Sequence, residues 1–269
     1  MADPVYGRNI KPGSLLQLSR FTRGWNDQMA NFLLPLAKQD YFFKFYDFDE
    51  DTINGDWTVN NAGGAAVSSF AASTSLEYGQ LTGSTGTAND ATAAIAISYD
   101  GIFFDAARNP GMMARIKLDA VSNFYMEVTW SDAPTATDAA SWDDEDTPTQ
   151  ASNGQTDVTS IVYDSAETNK SCQLITVGTT DTTVTAAAMS AATTTAGDPL
   201  TAATFSTFLL QVGDGWSYAN IDGKASSEAR LAVGMDTGVK LVPQILVKAN
   251  SATSVVCTID YIALWCNRE

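Results

Sequence analysis

The sequence predicts a mostly β fold, a sandwich of antiparallel sheets preceded by an N-terminal arm with a short amphipathic helix. From Tyr41 onward, short runs of β-branched and aromatic residues alternate with turns rich in Gly, Asn, Asp, Ser and Thr. Many short strands with few helices are typical of a sandwich. We therefore divide the chain into residues 1–40, the arm and docking helix, and residues 41–269, the sandwich.

The arm is expected to be extended over residues 1–13, which contain Pro and Gly, and to continue as a helix. Ser14 suits a helix N-cap, and Pro35 is expected to end the helix near residue 34. An apolar stripe must be covered either by the sandwich of its own chain or by a neighbouring subunit, and the sequence favours neither. The stripe consists of Leu15, Leu18, Phe21, Trp25, Met29, Phe32 and Leu36.

The clearest strands follow at residues 41–49, 91–98, 112–118, 124–130, 205–212, 216–221, 240–248 and 254–265. In the run at 124–130, apolar Phe124 to Trp130 alternate with Tyr, Glu and Thr, which predicts a half-buried strand. Asp222-Gly223 predicts a tight turn, since Gly adopts positive φ without steric cost. The tract 131–156 is read as a polar insertion, and the Thr/Ala-rich tract 178–203 as a similar one.

Charge is unevenly distributed along the chain. The net charge is -16, but residues 1–44 carry a balance of +3 and the remainder carries -19. The acidic body repels nucleic acid and anionic membranes, so neither is expected as a partner. The basic segment either contacts an acidic protein surface or neutralises the chain's own body.

The chain has no histidine, which removes histidine-activated serine or cysteine nucleophiles and histidine metal sites. We expect the three cysteines to be free, buried thiols and not a disulfide framework. Cys257 and Cys266 are an odd number of positions apart in one predicted strand and are therefore predicted to face opposite sides of the sheet. The third cysteine is Cys172.

Three motifs resemble the concanavalin A-like superfamily, which includes lectin, laminin-G and laminarinase-type domains. They are an opening F-x-D-F-D that ends at Asp49, a strand–Asp-Gly–strand hairpin at Ala219–Lys224, and a closing I-D-Y-I-A-L-W at Ile259–Trp265. The resemblance covers residues 41–266 and implies an antiparallel jelly-roll β-sandwich. In that superfamily the first and last strands pair, which places residues 41–49 beside residues 255–265.

The glucanase members of that superfamily carry an E-x-D-x-x-E strand motif. Glycoside hydrolysis needs two carboxylates about 5 to 9.5 Å apart. No such strand is evident here, because Glu127 stands alone in its run and the carboxylates of 141–147 fall in a predicted loop. The sequence therefore predicts that the chain is not an enzyme.

The resemblance also implies a structural calcium site. Some relatives bind Ca²⁺ through the Asp of the closing strand, which Asp260 matches, with groups of the opening strand nearby, where Asp49 or Glu50 lies. The alternative is that these carboxylates are solvated or hydrogen-bonded. Apart from calcium at Asp49 and Asp260, no cofactor is expected.

Exposed aromatic side chains are the usual contact surface in sugar-binding relatives. The candidates are Trp57, Trp130, Trp142 and Trp216. Trp130 and Trp216 lie on strand faces that are predicted to face the core. Trp142 lies in a polar, acidic loop and is the predicted glycan contact.

The leading functional prediction is a virion structural protein, a bacteriophage capsid decoration protein attached through its arm. The predicted partners are the major capsid protein or other virion proteins, a homo-oligomer (a trimer) and host glycans. The protein is predicted to be made in the host cytoplasm without a signal peptide and to reside in the virion. The predicted docking residues are Arg8, Lys11, Arg20, Phe21, Arg23, Trp25 and Phe32. The alternatives are a glycan-binding fibre or adhesin module of lectin type and, less favoured, a glycoside hydrolase or lyase.

Overall fold

A computed structural model describes residues 41–48, 53, 55–61, 68–73, 79–86, 94–100, 104–132, 140–142, 150, 155–166, 171–179, 183–189 and 200–267. The predicted arm and helix of residues 1–40 lie outside this part of the chain. Within it, the only helices are two short 3₁₀ turns, at Ala106–Arg108 and Ala225–Ser227. None of the helices in these ranges is long and apolar enough to cross a membrane.

The described residues form fifteen strands. They are β1 (Tyr41–Tyr46), β2 (Trp57–Asn61), β3 (Ser68–Ala72), β4 (Leu81–Ser84), β5 (Ala94–Tyr99), β6 (Gly111–Leu118), β7 (Phe124–Ser131), β8 (Val158–Asp164), β9 (Gln173–Val177), β10 (Thr185–Ala188), β11 (Phe205–Gly213), β12 (Trp216–Ile221), β13 (Glu228–Leu231), β14 (Val242–Ala249) and β15 (Val256–Asn267). All eight strands that the sequence predicts are present. The short strand β10 lies inside the tract 178–203, which the sequence presents as a loop.

The strands form two antiparallel sheets that face each other as a sandwich, which confirms the predicted fold class. The eight-stranded sheet has the order β13-β12-β11-β6-β15-β4-β3, with β1 paired to β15. The seven-stranded sheet has the order β10-β9-β8-β7-β14-β5-β2. The first and last strands pair from Tyr41 opposite Asn267 to Tyr46 opposite Ile262, as the resemblance implies.

The main core lies between the sheets, where alternate residues of each strand meet. On β7 these residues are Phe124, Met126, Val128 and Trp130, all fully buried, as the alternation predicts. The prediction of a half-buried strand is wrong, however, because β7 is buried on both faces. Trp142 and its neighbours pack on the face of β7 that is turned away from the core.

A bulge in β15 changes which residues of that strand face the core. The register with β6 shifts between Ile259 and Tyr261, so Asp260 is an extra residue in the ladder. The shift reverses the alternation, and Cys257 and Cys266 both lie in the main core. The prediction that they face opposite sides is therefore wrong, while the prediction of free, buried thiols is confirmed for all three cysteines.

The predicted turn at Asp222-Gly223 is confirmed. Both residues have positive φ, 55° and 65°, and the amide of Lys224 donates to the carbonyl of Ile221 over 3.2 Å. Two consecutive positive φ angles match the twist of an antiparallel pair. The turn connects β12 to the segment that leads into β13 and so fixes which residues of β12 face outward.

Candidate functional site

The outer face of the seven-stranded sheet is closed around Glu127. This face is the one turned away from the core, and on β7 it carries Tyr125, Glu127 and Thr129. Residues 140–142, which belong to the predicted insertion, cross it. Trp142 is fully buried there and packs against Tyr125 and the outward valines of β8.

Trp142 is therefore not an exposed glycan contact, and that prediction is wrong. Its indole Nε1 donates to the Ser160 hydroxyl over 3.0 Å, which satisfies its one polar group inside an apolar environment. The polar sequence around Trp142 suggested exposure. The structure shows that the outer face of the sheet supplies an apolar surface on which the ring is buried.

The Glu127 carboxylate holds these residues in place. One of its oxygens accepts hydrogen bonds from the Tyr125 hydroxyl and from the amides of Ser141, over 2.7 Å, and Trp142, over 3.2 Å. Burial raises the pKa of the Glu127 carboxyl, and the hydrogen bonds from Tyr125 and Ser141 oppose this increase. In this geometry Glu127 is a buried hydrogen-bond acceptor that connects β7 to residues 140–142 of the insertion.

The outer face of the eight-stranded sheet carries partly exposed aromatic rings on β12. Trp216 and Tyr218 are partly exposed, whereas Ser217 and Ala219 between and after them face inward and are buried. The prediction that Trp216 faces the core is wrong, because the inward positions of β12 are Ser217, Ala219 and Ile221. Trp130, by contrast, is fully buried in the core as predicted.

Small residues leave room for the Trp216 ring. A Cβ atom on Gly213, which pairs with Trp216 across the hairpin, would overlap both the indole and the side chain of Asn109. Gly234 lies against the backbone of Trp216 with no space for a side chain. Gly213 thus leaves room for the indole beside the Asn109 amide, and Gly234 allows close approach to the Trp216 backbone.

Polar side chains surround the two rings. Gln211, Tyr218 and Arg230 lie in one row across β11, β12 and β13, and Glu228 lies one row further along. The Tyr218 hydroxyl donates to the Glu228 carboxylate over 3.3 Å. Burial, followed by the charge of Glu228, raises the pKa of Tyr218, so the phenol stays protonated as a donor. We call Trp216, Tyr218, Gln211, Glu228 and Arg230 the β12 platform.

The calcium prediction rests on Asp260, because Asp49 lies outside the described residues. Asp260 is the bulge residue of β15, and its carboxylate pairs with the Arg115 guanidinium over 2.5 Å and accepts from the Gln80 amide over 3.3 Å. Within the described ranges, no group of three or more carboxylates and thiols is close enough to hold a metal ion. Asp260 thus serves here as the partner of Arg115, and calcium at Asp49 and Asp260 stays a prediction.

The seven predicted docking residues also lie outside the described residues. They are Arg8, Lys11, Arg20, Phe21, Arg23, Trp25 and Phe32. Attachment to a capsid through the arm therefore stays a prediction.

The fold is similar to several solved structures of carbohydrate-binding and carbohydrate-active proteins. No protein-family model and no curated protein matches the sequence. The carbohydrate recognition domain of Emp47p superposes with a TM-score of 0.52 and 10% identity, over 82% of this chain and 93% of that one. SCLam, a non-specific endo-β-1,3(4)-glucanase from glycoside hydrolase family 16, gives a TM-score of 0.52 and 14% identity, over 86% and 92%. A family 16 endo-glucanase from Bacteroides ovatus gives 0.51 and 11%, over 81% and 98%.

These comparisons correct the prediction that the chain is not an enzyme. Two of the three structures named are endo-glucanases, and each covers more than four fifths of this chain with the same architecture. At 11% to 14% identity they show the fold alone. Because this fold is one that glycoside hydrolases use, the missing E-x-D-x-x-E motif does not exclude catalysis.

The similarity covers more than four fifths of this chain for both the carbohydrate recognition domain and the hydrolases. It agrees with the pairing of the first and last strands and with the two facing antiparallel sheets. The chain has the concanavalin A-like jelly-roll fold of lectin and family 16 glycoside hydrolase domains.

Proposed function

We propose that the chain is a glycan-binding module of lectin type and that carbohydrate binds at the β12 platform. The observation that carries the proposal is the pair of partly exposed rings, Trp216 and Tyr218, on one outer sheet face. Alternate residues of a strand lie about 7 Å apart. The two rings therefore form a continuous apolar strip on which the C–H faces of successive sugar rings can stack.

The polar residues of the platform supply the hydrogen bonds that a sugar requires. Glu228 is an acceptor, Arg230 donates through a planar fork, and Gln211 does both. Glu228 and Arg230 are exposed and flank Tyr218 on β13. An apolar contact surface with a few polar groups at its edge is the usual composition of a small-molecule site.

The charge of the chain favours neutral glycans as ligands. The net charge is -16, and this field repels uronic acid, sulfate and sialic acid groups. The platform itself carries one carboxylate and one guanidinium, which nearly cancel. We infer that a neutral glycan binds more tightly than an anionic glycan of equal length.

The test compares binding to a panel of neutral and anionic glycans between the full chain and platform variants. Trp216→Ala and Tyr218→Ala are each expected to weaken binding about tenfold or more, the equivalent of about 1.4 kcal/mol. Phe205→Ala is the matched control, because Phe205 is another partly exposed ring on the same sheet face, about 20 Å away along the strands. Circular dichroism shows that each variant is folded.

Unchanged binding in a folded Trp216→Ala/Tyr218→Ala double variant would overturn the proposal, and so would equal loss in Phe205→Ala. Release of reducing ends is measured in the same incubations, because the fold is shared with endo-glucanases. The appearance of new reducing ends would show that the chain hydrolyses the glycan as well as binding it. Glu127→Gln then tests whether the buried carboxyl takes part.

The virion role is a separate prediction that rests on the sequence of residues 1–40. Under it, the module is displayed on a phage capsid, and the β12 platform contacts host glycans. Glycan binding is compatible with that display and does not require it.

A further inference from the structure

An apolar cluster lies on the outer face of the eight-stranded sheet, separate from the core between the sheets. Its buried members are Met113, Leu209, Tyr261, Ala263 and Trp265, and Phe43, Phe45 and Tyr218 are packed against it. None of the buried members is more than 4% exposed. An outer sheet face normally meets solvent with polar side chains, so this face departs from the usual pattern. We call these eight residues the outer cluster.

The outer cluster is centred on the pairing of the first and last strands. Phe43 lies opposite Trp265, and Phe45 opposite Ala263. The ring of Phe45 stacks on Tyr261 with 5.4 Å between centroids. The cluster extends from β1 across β15, β6 and β11 to β12, about 19 Å at the usual spacing between strands.

A sheet cannot by itself bury the side chains on its own outer face, so rings as large as Trp265 need a covering layer. Trp265 lies directly over Gly111, where a Cβ atom would overlap the indole. Phe43, which lies opposite Trp265 on β1, also packs against the cluster but is itself only partly buried. Trp265 is nevertheless 0% exposed.

We propose that residues 14–36 of this same chain cover the outer cluster. Seven apolar residues of this segment recur at helical spacing, from Leu15 to Leu36. A helix from residue 15 to residue 34 has 20 residues and is about 30 Å long, enough to cross the cluster. The segment joins the sandwich at Tyr41, in the strand that carries Phe43 and Phe45, so its connection to the cluster is short.

Charge supports the same arrangement. Residues 1–44 carry a balance of +3, while the remainder of the chain carries -19. Arg20 and Arg23 lie about 120° or more from the centre of the apolar stripe on a helix, so they stay at the surface when the stripe is buried. The basic segment then reduces the repulsion within its own acidic body.

The inference changes the docking prediction for three residues. Phe21, Trp25 and Phe32 belong to the stripe and are buried beneath their own chain under this arrangement. They are then not free to insert between capsid subunits. Tyr218 belongs both to the edge of the outer cluster and to the β12 platform, so the covering segment borders the proposed glycan site. The test below measures the cover through Met113 and does not depend on glycan binding.

The test uses oxidation of two adjacent methionines in the full chain. Met113 belongs to the outer cluster, whereas Met112 lies in the core between the sheets, and both are 0% exposed. Dilute peroxide oxidises exposed methionines faster than buried ones, and fragmentation mass spectrometry separates the two sites. Trp25→Asp is expected to accelerate oxidation of Met113 about tenfold while Met112 stays protected.

Asn31→Asp is the matched control, since it adds the same charge to the same segment outside the stripe. It should leave Met113 as protected as in the parent chain.

Continued protection of Met113 in a folded Trp25→Asp variant would overturn the proposal. Protection that is lost on dilution, together with dissociation of an oligomer, would assign the cover to a second copy and would also overturn it. Faster oxidation of both Met112 and Met113 would show that Trp25→Asp also loosens the core between the sheets. The milder variant Phe21→Ala then replaces it, with faster oxidation of Met113 alone as the expected result.

Discussion

At the scale of single residues, Glu127 combines complete burial with several hydrogen bonds. It is 2% exposed, and its carboxylate accepts from Tyr125, Ser141 and Trp142. A buried carboxylate without such donors would be very unfavourable. These bonds explain how an ionisable residue is accommodated in the middle of a sheet face and why residues 140–142 lie where they do.

The raised pKa of Glu127 predicts a pH-dependent contribution to stability. Because the folded-state pKa lies above that of an unfolded glutamate, the folded state binds more protons, and the contribution is full below the ordinary pKa of 4.5. It is lost as the pH rises through the folded-state pKa. Glu127→Gln removes this dependence, so the free energy of unfolding of the variant relative to the parent should increase as the pH rises from about 4 to about 8.

Urea unfolding at a series of pH values measures this difference. Glu228→Gln is the control for the removal of one carboxylate, because Glu228 is exposed. If the Glu127→Gln and parent curves run parallel, the buried carboxyl does not titrate differently in the two states.

At the scale of elements, the β11–β12 hairpin and the turn after it place the β12 platform. Trp216 and Tyr218 face outward because β12 pairs in a single register from Gly213 opposite Trp216 to Phe208 opposite Ile221. A slip of one residue would send both rings to the core face. Asp222 strengthens this register, since its carboxylate accepts from the Thr207 amide over 2.8 Å.

Gly223→Ala tests the turn that follows β12. Gly223 has a φ of 65°, and alanine at such a position destabilises a folded protein by about 1 kcal/mol or more. Urea unfolding should show this loss, together with weaker glycan binding if the platform is displaced. Gly55→Ala is the control, because a Cβ atom on Gly55 meets no other atom within 4 Å. An equal effect of both substitutions would contradict the assigned role of the turn.

At the scale of the whole molecule, the described residues form a sandwich with additional apolar layers on both outer faces. Trp142 and the residues around it form one layer on the seven-stranded sheet, and the outer cluster forms the other on the eight-stranded sheet. Cys172, Cys257 and Cys266 are all in the main core. Cross-links play no part in holding these layers together, because all three thiols are free.

The burial of the thiols predicts slow chemical labelling of the native protein. Burial, with the nearby charge of Asp119, raises the pKa of the Cys257 thiol, which disfavours the reactive thiolate. An aromatic disulfide reagent should label all three cysteines at once in denaturant and react slowly with the folded chain. Addition of a reductant should leave the melting temperature unchanged. Rapid labelling of even one thiol in the native protein would contradict the buried arrangement.

The sequence alone predicts the sandwich class, the eight clearest strands, the Asp222-Gly223 turn and the free thiols. These features depend on alternation and turn preferences over a few neighbouring residues, so they can be predicted locally. It did not reveal the strands β2, β3, β4, β8, β9, β10 and β13, of which β3 and β10 consist mainly of Ser, Thr and Ala.

Which faces of the sheets are covered depends on packing between distant segments of the chain. The β15 bulge turned Cys257 and Cys266 to the same side, the register of β12 directed Trp216 outward, and the outer face of β7 buried Trp142. The candidate site could not be predicted for the same reason. Exposure of a ring depends on which distant segment packs over it, and that contact is formed by residues far apart in the chain, beyond the range of any local pattern.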